Sequence, residues 1–436
     1  MQTHFSPAQL EDPATATSEA AIRKCVHCGF CTATCPTYVL LGDELDSPRG
    51  RITLMKDMLE NDRVPSAETV KHLDRCLSCL SCKTTCPSGV NYMHLIDHAR
   101  SYVEARYRRP WRERMLRALL AAVLPYSGRF RLALTFARIG RFMAPILSRW
   151  LALRPLAAML SLAPARVPHR ASRADAPATP SRGRVALLQG CAEPVLRPEI
   201  REAAVRLLNR VGLDVVFARG EGCCGALVHH LGRHDDSLAS VRRNVDAWSR
   251  EIEHEGLDAI VVTASGCGTM LKDYGFLLRD DPAYADRAAR VSALARDVTE
   301  VLAGADMPAG EGRGLTVAYH AACSLQHGQK VTEAPRRLLA GAGYVVRTPI
   351  EQHLCCGSAG TYNILQPGIA GQLGDRKVAN LARLDADVIA AGNIGCAMQI
   401  GQRAAIPVVH TIELLDWATG GPEPKAMAGH RKRTAH

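Results

Sequence analysis

Eight cysteines fall into two runs with one spacing. Cys25-Val-His-Cys28-Gly-Phe-Cys31-Thr-Ala-Thr-Cys35-Pro36 and Cys76-Leu-Ser-Cys79-Leu-Ser-Cys82-Lys-Thr-Thr-Cys86-Pro87 both read C-x2-C-x2-C-x3-C-P. Three cysteines two residues apart let a short loop turn its sulfurs onto three irons of a cube, and the fourth points to a second cube. Crossed ligation follows: Cys25, Cys28, Cys31 and Cys86 are assigned to one [4Fe-4S] cluster, and Cys76, Cys79, Cys82 and Cys35 to a second. Pro36 and Pro87 each suit the first turn of a helix, where a missing N–H costs little, so Cys35 and Cys86 are expected at helix starts. Structural zinc also uses C-x2-C pairs, but its four tetrahedral ligands rarely include three thiolates so crowded. One-electron transfer is the chemistry these runs imply.

The other eight cysteines repeat as a set. Cys191 and Cys323 are 132 residues apart, Cys223-Cys224 and Cys355-Cys356 again 132, and Cys267 and Cys396 129. Adjacent cysteines bond each other with difficulty but can both ligate a metal, and Gly225 and Gly357 allow a tight turn behind them. Four thiolates per half, Cys191, Cys223, Cys224 and Cys267, then Cys323, Cys355, Cys356 and Cys396, suffice for a tetrahedral zinc or one ordinary cluster. The alternative is a set of buried reduced thiols. His320 and His327 flank Cys323, placed either to ligate or protonate or simply to be hydrogen-bonded. His229 and His230 carry no signal of their own.

Helices and parallel strands must position these groups. Between the two runs, Ile52, Met55, Met58 and Leu59, and then Val70 and Leu73, recur at helical spacing, so residues 1–100 are expected to form a helical two-cluster ferredoxin module, loose over residues 1–20. From Gly183 on, short apolar runs such as Val185–Cys191, Leu315–Cys323, Ala259–Cys267 and Val388–Cys396 alternate with helical patterns. Each half is read as strand and cysteine, helix, strand and Cys-Cys-Gly, helix, strand and cysteine. The fold class is therefore α plus α/β: a helical ferredoxin module followed by a duplicated cysteine-rich α/β domain, at 184–312 and 313–420. Its two halves are expected to face each other, with the cysteines at the C-terminal strand ends where such sheets bind ligands.

Between module and repeat, residues 101–162 form a basic amphipathic segment. Ser101 to Arg182 holds sixteen arginines, no lysine and three acids (Glu104, Glu113, Asp175), more positive charge than the chain's net +11. Met115, Leu116, Leu119, Leu120, Val123 and Leu124, then Ile139, Phe142, Met143, Ile146, Leu147, Trp150 and Leu151, form apolar stripes. Two readings stay open: an interfacial surface for an anionic membrane, or a helix pair packed on its own domains or a partner subunit. The longest uncharged run, Ala118–Gly128, falls well short of the ~18 residues that span a bilayer. Residues 163–183 read as a linker and 421–436 as a basic tail. No nucleic-acid-reading module with aromatic platforms accompanies the charge, so nucleic acid is excluded. With 436 residues, 47% of them hydrophobic, several domains are expected. Sixteen cysteines without an export signal indicate metal ligation in the cytoplasm, with peripheral association at the inner face of the cell membrane as the variant reading.

The order C-x31-CCG followed by a distant cysteine, twice, resembles the cysteine-rich domain of heterodisulfide reductase-type subunits. Joined to the tandem ferredoxin runs, it resembles the glycolate oxidase (glycolate dehydrogenase) iron–sulfur subunit family. Matching phrases include Leu41-Gly-Asp-Glu-Leu-Asp46, Pro48-Arg-Gly-Arg-Ile52, Ala264-Ser-Gly-Cys267-Gly and His353-Leu-Cys-Cys-Gly-Ser-Ala-Gly-Thr-Tyr362. The resemblance implies an electron-transfer subunit working beside FAD-containing oxidase subunits that turn glycolate into glyoxylate, with a quinone or other membrane acceptor as outlet. Rival readings are the equivalent subunit of a lactate or glycerol-3-phosphate dehydrogenase, or a thiol–disulfide subunit of heterodisulfide reductase type. The cysteine-rich family usually closes each module with C-x-x-C; Met270 and Gln399 stand at those final positions, which argues against a five-thiolate noncubane cluster. No nucleotide-binding glycine motif follows a strand, so hydride chemistry is expected on a partner.

Overall fold

The computed structural model describes residues 1–147, 149, 150, 157, 160 and 182–428. The expected linker lies outside the described residues apart from 182 and 183, as do Leu151 and residues 429–436 of the expected tail.

Helices Pro13–Arg23, Pro36–Leu41, Pro48–Glu60, Ala67–Asp74 and Tyr92–Arg106 build the N-terminal unit. Their starts are written in the sequence: Asp12, Ser47 and Ser66 cap three of them by accepting from backbone N–H groups. The spaced residues Ile52, Met55, Met58, Leu59, Val70 and Leu73 are buried, with Ile22, Leu95 and Ile96, in one core. Residues 1–20 are not loose. Ser6 caps a helical turn at Pro7–Leu10, and Ser18 on the next helix meets His98 at 2.7 Å. Buried Ala21 and Ile22 tie that helix to the core, a tertiary contact that a polar composition does not reveal.

The arginine-rich segment forms helices Trp111–Val123 and Ser127–Gly140, turned by Pro125 and Tyr126. Two of its arginines anchor it to the N-terminal unit: buried Arg109 meets Asp74 at 2.6 Å and Glu113 at 2.6 Å, and buried Arg117 meets Asp74 at 3.0 Å. Its inner stripe packs on the chain itself, Leu120 and Ala121 against Val228, Leu231 and Ile364, and Leu134 against Val195.

Two four-stranded parallel sheets follow. Strands β1 (Gly183–Leu187), β2 (Leu213–Val216), β3 (Ala259–Val262) and β4 (Ala295–Asp297) lie in the order β2-β1-β3-β4. Strands β5 (Thr316–His320), β6 (Val345–Arg347), β7 (Val388–Ala391) and β8 (Val408–Val409) repeat it as β6-β5-β7-β8. The registers correspond, Val185 beside Ala259 in the first sheet and Val317 beside Val388 in the second. Strands β3 and β7 are buried along their whole length, as expected of strands covered on both faces. The fourth strand of each sheet was not expected: three and two residues are too short to show an alternation. The repeats share one core, in which Leu187 and Val261 join Val317, Tyr319 and Val388. Ion pairs tie the helix Pro198–Arg210 to the helix Thr411–Ala418, Arg206 to Asp416 at 2.6 Å and Arg210 to Asp416 at 3.1 Å.

Candidate electron-transfer sites

The two ferredoxin-type loops share one backbone. His27 and Gly29 in the first, and Ser78 and Leu80 at the matching places in the second, are all left-handed, with φ of 57°, 85°, 49° and 62°. Between those reversals stand Cys28 and Cys79, each lining a cavity. Cys35 precedes the helix Pro36–Leu41 as expected. Cys86 does not start a helix: it ends the short helix Ser81–Thr85, Pro87 enters a turn closed by the Gly89 N–H on the Cys86 carbonyl at 3.3 Å, and the next helix begins at Tyr92. Gly89, left-handed at φ 65°, breaks the helix that Pro87 alone would permit.

The eight sulfur-bearing residues gather around two cavities. Cys25, Cys28, Cys31 and Cys86 line one, with Ile52 and Tyr92. Cys35, Cys76, Cys79 and Cys82 line the other, with Arg51, Leu77 and Tyr92, and Cys82 touches both. Burial lifts the Cys31 thiol to about 11, and burial together with neighbouring thiols pushes Cys79 and Cys82 up. These three thiols therefore hold their protons until a metal binds and displaces them. Donor type and number in each cavity fit an iron–sulfur cluster.

A buried polar knot supports the second cavity. Arg51 donates to the Cys35 sulfur at 3.8 Å, to the His72 carbonyl at 2.7 Å and to Asp46 at 3.2 Å. Asp46 also takes Arg75 at 2.6 Å and His72 at 3.0 Å. Burial opposes the Arg51 charge, but Cys76, Tyr92, Cys35 and Asp46 outweigh it and hold the guanidinium protonated. Sequence reading did not single out this pair. Its signal was an arginine directly beside the apolar stripe of Ile52 and Met55.

The cysteine-rich repeats bring their thiols together as grouped. Cys191 and Cys267 follow β1 and β3, and Cys323 and Cys396 follow β5 and β7, the adjacent strands on either side of which each sheet's connections diverge. In each half the sulfurs form a chain of contacts, Cys191 to Cys223 to Cys224 to Cys267 and Cys323 to Cys355 to Cys356 to Cys396. The Cys323 and Cys355 sulfurs are 3.7 Å apart, close to the edge of a tetrahedron with metal–sulfur bonds of about 2.3 Å. Gly225 and Gly357 are left-handed at φ 91° and 87°, and a Cβ on Gly357 would stand 2.5 Å from the Ala370 carbonyl oxygen.

The halves are not equivalent. His320 is buried beside the Cys356 sulfur, and its ligand atom lies within 4.8 Å of those of Cys356 and Cys396. The corresponding position in the first half is Leu188, so the second set has one more donor within reach. His327 instead bonds Thr84 at 2.7 Å and the His353 carbonyl at 3.2 Å, the hydrogen-bonded role. Met270 and Gln399 are both buried; Gln399 donates to the Ala370 carbonyl at 2.9 Å.

The sites are in series. Leu77 and Cys79 share an apolar cluster with Cys355 and Tyr362, Cys323 packs against it, and the Tyr362 hydroxyl donates to the Arg75 carbonyl at 3.0 Å. The first cavity lies near the surface: Cys28 is exposed, and Val26 and Phe30 beside it are 67% and 64% exposed.

Comparison with known proteins agrees with this organisation. Residues 21–90 match the 4Fe-4S dicluster domain, and residues 185–272 and 317–401 each match the cysteine-rich (CCG) domain. The chain is 42% identical to the glycolate oxidase iron–sulfur subunit of Escherichia coli (strain K12), covering 96% of this chain and 99% of that protein. It is 31% identical to a probable glycolate oxidase iron–sulfur subunit of Bacillus subtilis (strain 168), over 92% of this chain and 95% of that one. Lactate utilization protein A of Bacillus licheniformis is 31% identical over 53% of this chain and 99% of its own length. A crystal structure of a hypothetical protein from Helicobacter pylori superposes with a TM-score of 0.53 at 12% identity, over 95% of this chain and 74% of that chain, and shares the fold. With two iron–sulfur loops, a duplicated cysteine-rich domain and near-complete coverage of such relatives, the chain belongs to the glycolate oxidase iron–sulfur subunit family and has an iron–sulfur electron-transfer role in an oxidoreductase complex.

Proposed function

We propose that this chain carries electrons from FAD-containing partner subunits that oxidise glycolate to glyoxylate, and passes them to a quinone at the membrane. The observation that carries the reading is the sequence of sites: an exposed thiolate cavity, a buried one beside it, and the buried one packed on the second cysteine-rich set. Cys25, Cys28, Cys31 and Cys86 hold one [4Fe-4S] cluster, and Cys35, Cys76, Cys79 and Cys82 the other. When bound, these clusters supply one-electron carriers between a two-electron flavin and its acceptor. The protein's own residues orient and insulate them. Arg51 places a fixed positive charge at the buried site, and exposed Val26 and Phe30 offer an apolar landing face beside the outer one. Each cysteine-rich half binds a thiophilic metal through its four thiolates, His320 standing as a fifth donor in the second half.

Glycolate is preferred to lactate because the glycolate oxidase relatives align over nearly the whole chain and the lactate utilization relatives over about half. The test is anaerobic metal analysis and EPR of the full chain, with and without Cys223, Cys224, Cys355 and Cys356 replaced by Ser, followed by glycolate-dependent cluster reduction in the co-purified complex. About eight irons that survive the four replacements are expected. Fewer than eight in the unmodified chain refutes the two-cluster assignment. Reduction by lactate but not glycolate refutes the substrate.

A further inference from the structure

A cavity of about 350 Å³ lies where the C-terminal ends of both sheets converge. One wall carries cysteines of both repeats, among them Cys191, Cys267, Cys323 and Cys396. The opposite wall is apolar and comes from the arginine-rich helices: Leu120, Val123 and Leu124 from the first, Phe130, Ala133 and Leu134 from the second. Leu77 and Ser78, between the ligand positions Cys76 and Cys79, form a third side. Leu119 lines the cavity yet is 49% exposed, so it marks a mouth.

The outer face of the same two helices is unusual. Trp111, Met115, Leu132 and Phe136 are exposed, and Phe142, Ile146 and Trp150 continue the patch. Around them Arg112, Arg114, Arg129 and Arg138 are exposed and form no ion pair with a carboxylate among the described residues. Large apolar groups ringed by arginines without carboxylate partners suit the boundary of an anionic bilayer. No helix among the described residues is long and apolar enough to cross a membrane, so this face would lie on the surface.

We propose that this cavity is where a lipophilic quinone is reduced, and that the helices Trp111–Val123 and Ser127–Gly140 are the membrane-facing wall past which its tail leaves at Leu119. The inference rests on the reading that the acceptor is a membrane quinone and assigns it a place. An apolar chamber a few hundred Å³ in size, with few polar groups, suits a planar ring on an isoprenoid chain. Among its polar lining residues is His230, whose Nδ1 is buried without a hydrogen-bond partner. Burial keeps this imidazole neutral, so one ring nitrogen can donate to a quinone carbonyl. Two electrons arrive singly from the iron–sulfur centre behind Leu77 and Ser78, two protons come from water, and the two carbonyl oxygens become hydroxyls.

The test uses the full chain with its clusters, reduced and then freed of reductant. Cluster reoxidation is followed optically with decylubiquinone, menadione or ferricyanide, and binding of decylubiquinone is measured by equilibrium dialysis. Ala133→Trp and Ala137→Phe should slow reoxidation by the quinones at least tenfold and weaken binding, with ferricyanide unaffected. In the unsubstituted chain, an azido-quinone should label residues 119–137 or 188–193, a readout that needs no variant. Vesicles containing phosphatidylglycerol, but not pure phosphatidylcholine, should sediment the protein, and Phe136→Asp should abolish this. Equal quinone rates in all variants, or labelling elsewhere, overturn the cavity and leave the quinone as acceptor. No reoxidation of the unsubstituted chain by either quinone overturns both. Indifference to anionic vesicles overturns the membrane wall and points to a partner subunit covering it.

Discussion

Replacing Arg51 with Gln should lower the reduction potential of one cluster and leave the other in place. The Arg51 guanidinium lies 3.8 Å from the Cys35 sulfur and is buried. At an effective dielectric of about 20, a unit charge at that distance is worth about 4 kcal/mol at the sulfur. Spread over a cubane whose far atoms are about twice as distant, roughly 2 kcal/mol acts on the added electron. For a one-electron couple, at 59 mV per tenfold change, this is about 90 mV. Removing a positive charge makes the electron harder to add, so the shift is negative. Asp46, keeping Arg75 at 2.6 Å and His72 at 3.0 Å, becomes less compensated and pushes the same way. Arg51→Lys, which keeps the charge, should restore most of the potential. The assay is an anaerobic redox titration read by EPR, in which the two clusters titrate separately. A shift below a quarter of that size with both clusters intact, or equal movement of both signals, would refute the placement of Cys35 on the cluster beside Arg51.

Crossed ligation makes a second prediction: Cys35→Ser should remove the cluster that Arg51 tunes and Cys86→Ser the other, read as loss of the corresponding EPR signal. Asp297, buried at the end of β4 and capping the helix Val298–Ala303, is lifted by burial to about 6. A carboxyl whose folded value is raised favours folding below its unfolded value of 3.8, and that advantage is lost as pH rises through about 6. Stability should therefore fall by about 3 kcal/mol between pH 4 and 6 through this group. Asp297→Asn, which keeps the oxygen accepting the Thr299 N–H at 2.9 Å, should flatten that slope in denaturant titrations. Asp416→Ala should cost about 3 kcal/mol, at the low end for breaking a buried ion pair because Arg206 and Arg210 keep some access to water. Calorimetry should show one lowered transition for the two repeats, and two separate transitions would contradict their shared core.

Cysteine spacing is a local property, and it determined a great deal here. Loop chemistry repeats over seven residues, so Cys25 to Cys31 and Cys76 to Cys82 announced their loops, and a 132-residue echo announced the duplicated sheets. Apolar periodicity located the helices around Met55 and Leu73 and the inner stripe at Leu120. Short edge strands escaped because β4 and β8 hold too few residues for a pattern. The turn at Pro87 escaped because Gly89, three residues after Cys86, decides it. Contacts between distant segments lay beyond any local pattern. Arg51 faces Cys35 only because the helix Pro48–Glu60 folds back on the loop that ends at Cys35, His320 becomes a donor only when β5 and β7 pair, and His230 reaches the central cavity only through folding of the first repeat against the arginine-rich helices. Sequence alone thus determined which cysteines fall into ferredoxin-type runs and which into the repeat, since residue type and spacing are set along the chain. Only tertiary structure decided their order in space and the chamber at their end, because those depend on side chains hundreds of residues apart being buried together.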